Sequence, residues 1–141
     1  MKLAKTIEIK APRAKVWAAL VAVQNWPLWT ESITRIERLD DGPFGMGSQV
    51  RITQPKLPVL AWQVVEFEPG ASFAWQATSR GVTTLASHRV AETAAGQSTV
   101  TLAINQTGPL ASLAGLALGW LTRRYVDMEA EGLKRFCESG T

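Results

Sequence analysis

The sequence holds one cysteine, Cys137, and one histidine, His88, in 141 residues. A single thiol excludes an intrachain disulfide and a thiolate metal cluster, and a single imidazole excludes a multi-histidine metal site or a histidine acid–base pair. Charge is sparse and almost balanced: 15 Lys and Arg oppose 12 Asp and Glu, and no basic run exceeds Arg123-Arg124. No phosphate-binding stripe results, so nucleic acid is not an expected partner. The start, Met1-Lys2-Leu3-Ala4-Lys5, lacks the apolar core of a signal peptide, from which a cytoplasmic location is expected. The longest apolar tract, Pro109 to Leu121, is shorter than the roughly 20 residues that span a bilayer, so stable membrane insertion is not expected. Nucleotide loop, metal-ligand set and nucleophile–base pair are all missing, and no cofactor is implied.

What is present is an apolar fraction of 46% with 19% charged residues, a mixture that folds rather than stays disordered. The length suits one domain, residues 1–141, with one core. Leu3, Lys5, Ile7 and Ile9 alternate with Ala4, Thr6, Glu8 and Lys10, the period of a half-buried strand. Pro12 then opens a helix in which Val16, Trp17 and Leu20 recur at helical spacing to about Val21. Val23 to Leu28, stopped by Pro27, gives one further turn that presents Trp26 and Trp29.

From Ile33 the texture changes to β-branched runs separated by turn signals, and six more strands follow in hairpin succession. They cover Ile33–Leu39, a run around Val50 and Ile52, Leu60–Glu68, Ser72–Ser79, Val82–Glu92 and Ser98–Gln106. After Gly108-Pro109, Leu110 to Glu138 contains no proline and reads as one long helix, weakened locally by Gly115, Gly119 and Gly132. Its expected inward stripe is Leu113, Ala117, Trp120, Leu121, Arg124, Met128, Leu133 and Phe136. The class is therefore α+β: seven antiparallel strands, two short helices after the first, and a long helix across the concave face of the sheet.

Certain residues resemble a known family. Ile7-Glu8-Ile9-Lys10-Ala11-Pro12-Arg13-Ala14-Lys15-Val16-Trp17 and Asn25-Trp26-Pro27-Leu28-Trp29 resemble the opening of the START-related helix-grip superfamily, SRPBCC, in its polyketide cyclase/dehydrase-like branch. Gly47, Glu66 to Pro69, Trp75, His88, Gly108, Leu133-Lys134 and Glu138 follow in the order that branch carries similar residues, over essentially the whole chain. The resemblance implies a seven-stranded sheet gripping the last helix around a deep hydrophobic cavity. It also implies an apolar ligand such as a lipid, sterol or polyketide, without fixing a reaction, since relatives include aromatase/cyclases, carriers, subunits and co-chaperones.

Six tryptophans are an excess that suits a large core or a ligand pocket. Trp17 reads as core, whereas Trp26 and Trp29 either rim a pocket mouth or cap the core. Phe73 and Trp75 share strand parity with Ala77, and Trp62 with Val64, so all should face inward. His88 shares parity with Ala86 and Val90 and either serves a ligand, as hydrogen-bond partner or as acid or base, or is structural. Glu37 and Glu66 either enter the cavity, to pair with His88 or Arg51, or face solvent. Arg124 and Tyr125 stand midway along the helix, where Arg124 either holds a ligand carboxylate through paired hydrogen bonds or snorkels to the surface. Leu113, Leu116, Trp120 and Leu121 supply apolar cavity wall, and Cys137 has no evident activating base. The expected function is binding of an apolar small molecule, lipid-like or aromatic and polyketide-like. A cyclase or dehydratase using His88 and a ligand-free interaction module are the alternatives.

Overall fold

The computed structural model describes residues 1–139. Strand β1 (Lys2–Ile9) leads through Ala11-Pro12 into helix α1 (Arg13–Val21) and a 3-10 turn (Val23–Leu28). Strands β2 (Arg35–Arg38), β3 (Gln49–Thr53), β4 (Leu60–Glu68), β5 (Ser72–Ser79), β6 (Val82–Ala94) and β7 (Gln97–Thr107) follow, and helix α2 (Ala111–Glu138) closes the order. All seven strands form one antiparallel sheet in the order β1-β7-β6-β5-β4-β3-β2.

The hairpins arise where the sequence supplies left-handed backbone, as at Gly70 between β4 and β5, Gly81 between β5 and β6, and Gly96 between β6 and β7. Strand β2 is shorter than Ile33–Leu39, because Ile33 turns into the interior while Thr34 and Leu39 continue the pairing with β3 only as isolated hydrogen bonds. Strand β6 runs past Glu92 to Ala94 through a bulge against β7.

A second bulge decides which face of β4 meets the interior. The register with β5 slips between Val64 and Glu66, so Trp62 and Val64 point inward, Glu66 is turned to solvent and Phe67 takes the inward position that strict alternation would assign to Glu66. Glu66 is thereby removed from the interior. Glu37 also faces outward, paired with Arg51 at 3.1 Å across β2 and β3.

The packed core occupies one end of the space between sheet and helices. Ile9, Val16, Leu20, Val23, Phe73, Val90, Val100, Leu133 and Cys137 are buried there, and Trp17 packs on Phe67 and Phe73. Burial raises the Cys137 thiol to about 11, which fits a packing role. The carboxy-terminal half of α2 comes closest at Gly132, where an added Cβ would run into the carbonyl oxygen of Trp29. Gly132 is therefore a contact point between helix and 3-10 turn, and not merely a weak place in α2.

The inward face of α2 differs from the expected stripe. Leu121, Tyr125, Val126, Ala130, Leu133 and Cys137 are buried, whereas Trp120, Arg124 and Phe136 are exposed. The reason lies in the residues that the inward face uses: Ala111, Gly119, Ala130 and Gly132 are small and permit close approach, so large apolar residues are left outside.

Candidate ligand cavity

At the other end of the sheet, the first half of α2 stands away from the strands and a cavity of about 460 Å³ remains. Its walls are Ile52, Leu60 and Trp62 from β3 and β4, Trp75 and Ala77 from β5, Ala86 and His88 from β6, and Leu102 and Ile104 from β7. Trp26 and Ile33 contribute from the segment after α1, and Leu113, Ala117, Leu118, Tyr125, Val126 and Glu129 from α2. The β3–β4 loop covers it with Leu57 and Pro58. That loop is tied to the helix twice: the Tyr125 hydroxyl donates to the Pro55 carbonyl, and the Lys56 ammonium lies 5.9 Å from the Trp120 ring centre.

His88 is 3% exposed, with its ring stacked on Phe73 at 4.3 Å and 17° and flanked edge-on by Trp26 and Trp75. Nδ1 lies 3.2 Å from the Phe73 carbonyl oxygen, which only accepts, so Nδ1 carries the proton and Nε2 keeps a free lone pair. Burial dominates its titration and lowers the pKa to about 4, against a smaller opposing effect of the Phe73 carbonyl. At neutral pH the ring is an uncharged acceptor.

Glu129 is the functional candidate that sequence reasoning missed. It is only partly accessible, lines the cavity, and among the described residues its carboxyl has neither a hydrogen-bond partner nor an ion-pair partner. Desolvation raises its pKa to about 8, so near neutrality it is mostly protonated. Gln106 gives a third polar feature: its Nε2 donates to Thr84 Oγ1 at 3.3 Å, while Oε1 is buried without a partner among the described residues.

The other expected site residues divide. Trp26, Trp62, Trp75, His88, Leu113 and Tyr125 converge on the cavity. Trp26 is not a rim residue, since it is buried and its Nε1 donates to the Leu20 carbonyl at 3.0 Å. Trp29 is buried beneath the 3-10 turn, outside the cavity, with its carbonyl held against Gly132. Phe73 lies behind His88 as its stacking partner, and Leu121 is buried but does not reach the cavity wall. Leu116 and Trp120 are 84% and 59% exposed on the outer side of α2. Arg124 opens on a surface groove shared with Trp29, Trp120 and Asp127, so it is not available to a ligand in the cavity. Among the described residues no group of His, Cys, Asp and Glu could hold a metal ion, and no helix is long and apolar enough to cross a membrane.

The sequence pattern of the family described as polyketide cyclase / dehydrase and lipid transport matches residues 1–138. The chain belongs to that family. Solved structures share the fold described above. A hypothetical protein from Helicobacter pylori has TM-score 0.83 at 14% identity, with 97% of this chain and 88% of the other covered. An aromatase/cyclase from Streptomyces sp. R1128 has TM-score 0.80 at 16% identity, with coverage of 98% and 93%. A START superfamily protein from Mycobacterium smegmatis has TM-score 0.79 at 14% identity, with 99% of each chain covered. At these identities the likeness is one of fold. No curated protein matches the sequence.

Proposed function

We propose that this member of the polyketide cyclase family binds one apolar small molecule, lipid-like or aromatic and polyketide-like, between the sheet and α2. The observation that carries the reading is the cavity of about 460 Å³, large enough for a small ligand and walled mainly by Trp, Leu, Ile, Val and Ala, with polar side chains such as Gln54, Ser87, His88, Gln106 and Glu129 set among them. A packed interaction module would have no need of that space. The test is titration with an environment-sensitive apolar probe, followed by displacement with fatty acids, sterols and aromatic polyketide-like compounds. Saturation at one probe per chain, abolished by the cavity-filling substitution Ala86→Phe, is the expected result. Failure of every probe to saturate would refute it.

One observation favours an enzymatic second reading. His88, neutral, and Glu129, protonated, are two groups displaced in opposite directions within one cavity, the arrangement from which a base and an acid are drawn. In a cyclase or dehydratase, His88 Nε2 would take a proton and Glu129 would give one. Binding that survives His88→Gln and Glu129→Gln while turnover of a polyketide-like substrate is lost would support this role.

A further inference from the structure

The polar groups of the cavity are unequal in what they have left to offer. Trp26 Nε1, the Tyr125 hydroxyl and the Thr122 hydroxyl donate to the carbonyls of Leu20, Pro55 and Leu118, so these hydrogens are already engaged. His88 Nε2, Gln106 Oε1 and the Glu129 carboxyl are without partners among the described residues, and the first two can only accept. A carboxyl group on the wall of a cavity that Trp26, Trp62, Trp75 and Tyr125 also line offers an ammonium ion aromatic rings and, once ionised, a counter-charge.

We infer that the ligand is an amphiphilic amine, an apolar body with one protonated nitrogen that pairs with Glu129 inside the cavity. This rests on the ligand-binding reading and narrows it. The sign of the interior supports it, because Arg124 lies outside and the one cationic side chain on the cavity wall, Arg80, is an exposed residue of the β5–β6 turn. A carboxylate ligand placed against Glu129 would meet an unpaired acid, and the one cationic partner that the wall holds for it, Arg80, lies at the exposed turn.

Entry of an ammonium ion drives Glu129 to its ionised form. The carboxyl proton leaves to solvent, the nitrogen keeps its own protons, and the carboxylate so formed is paired with the ammonium. The other titratable groups facing the cavity are His88 on β6, Tyr125 on the same helix and Arg80. His88 stays neutral near pH 7 because its pKa is about 4.

The experiment displaces a neutral apolar probe from the full chain at pH 7 with phenylbutylamine, phenylbutanol and phenylbutyrate, three ligands that share a body and differ in the head. A charge-assisted hydrogen bond predicts that the amine binds about ten-fold more tightly than the alcohol, with the carboxylate weakest. Calorimetry in two buffers of different ionisation enthalpy should show up to one proton released per amine and none for the alcohol. Glu129→Gln should abolish the amine preference and the proton release while the alcohol still binds, and Glu129→Asp should retain part of both. Equal affinity of amine and alcohol, or a preference that persists in Glu129→Gln, overturns this inference while probe binding leaves the cavity reading intact. If the neutral probe itself does not bind, both are refuted together.

Discussion

The Tyr125 hydroxyl and the Pro55 carbonyl form a hydrogen bond that fastens helix α2 to the loop over the cavity. Within the loop the Leu57 N–H donates to the Gln54 carbonyl at 3.2 Å, while Pro55 has no backbone N–H and Lys56 holds a left-handed φ of 67°, so the Tyr125 contact adds an anchor to a turn with few hydrogen bonds of its own. Tyr125→Phe removes the donor and is expected to cost about 1 kcal/mol of stability. The more telling change is local: amide exchange should accelerate in residues 54–59, and probe association and release should both become faster. Unchanged exchange in that segment would show that the loop is held by other contacts.

Stability should vary with pH in a way that separates His88 from Glu129. His88, with pKa about 4 against an ordinary 6.5, binds fewer protons folded than unfolded, so its contribution is complete above 6.5 and lost as pH falls toward 4. Glu129, with pKa about 8 against 4.5, binds more protons folded, so its contribution is complete below 4.5 and lost as pH rises toward 8. Between 4.5 and 6.5 the two slopes oppose each other, and from 6.5 to 8 that of Glu129 remains. Denaturant melts should show a decline of at most roughly 1.4 kcal/mol per pH unit in the upper window, removed by Glu129→Gln and retained in His88→Gln. A decline that survives Glu129→Gln would assign it to another group.

Gly132→Ala sets two effects against each other. Alanine gains about 1 kcal/mol of helix propensity, while the new Cβ collides with a backbone oxygen at Trp29 that no rotamer change can move. The collision wins, and a net loss of about 2 kcal/mol is expected in urea unfolding. A stabilised variant would mean that α2 moves away from the 3-10 turn without cost.

Leu116→Ala should change stability by less than about 0.5 kcal/mol and leave probe affinity unaltered, since the side chain is 84% exposed. Trp75→Ala, in the cavity wall, should cost about 3 kcal/mol or more and change probe affinity. The pair tests the placement of the two residues directly.

The strands were legible because their punctuation is local: Pro58 precedes β4 and Pro69-Gly70 separates it from β5, and the observed bounds are Leu60–Glu68 and Ser72–Ser79. Parity then placed Trp62, Phe73, Trp75 and His88 on the inner face. For Glu66 the sequence left cavity and solvent open, and what turns it outward is a bulge that has no sequence mark as clear as a proline. The long helix misled for a different reason. Its first half is apolar almost all round, so hydrophobic periodicity put Trp120 on the inward stripe, while the buried positions of the helix include the small residues Ala111, Gly119, Ala130 and Gly132. Glu129 beside Met128 and Glu131 looks like any solvated helix acid, and only the geometry of the cavity distinguishes it.

The order of the sheet bears on how the protein assembles. Every pairing from β2 through β7 joins strands that are neighbours in sequence, and only β1 with β7 brings the two ends of the chain together. Hairpins form over short loops, whereas this last closure spans almost the whole chain and carries the largest entropic penalty of the set. The enclosing arrangement of sheet and α2 is complete only after that closure. A ligand held inside would therefore bind the finished native state and not the intermediates before it, so occupancy should lengthen the lifetime of the folded chain without hastening its formation.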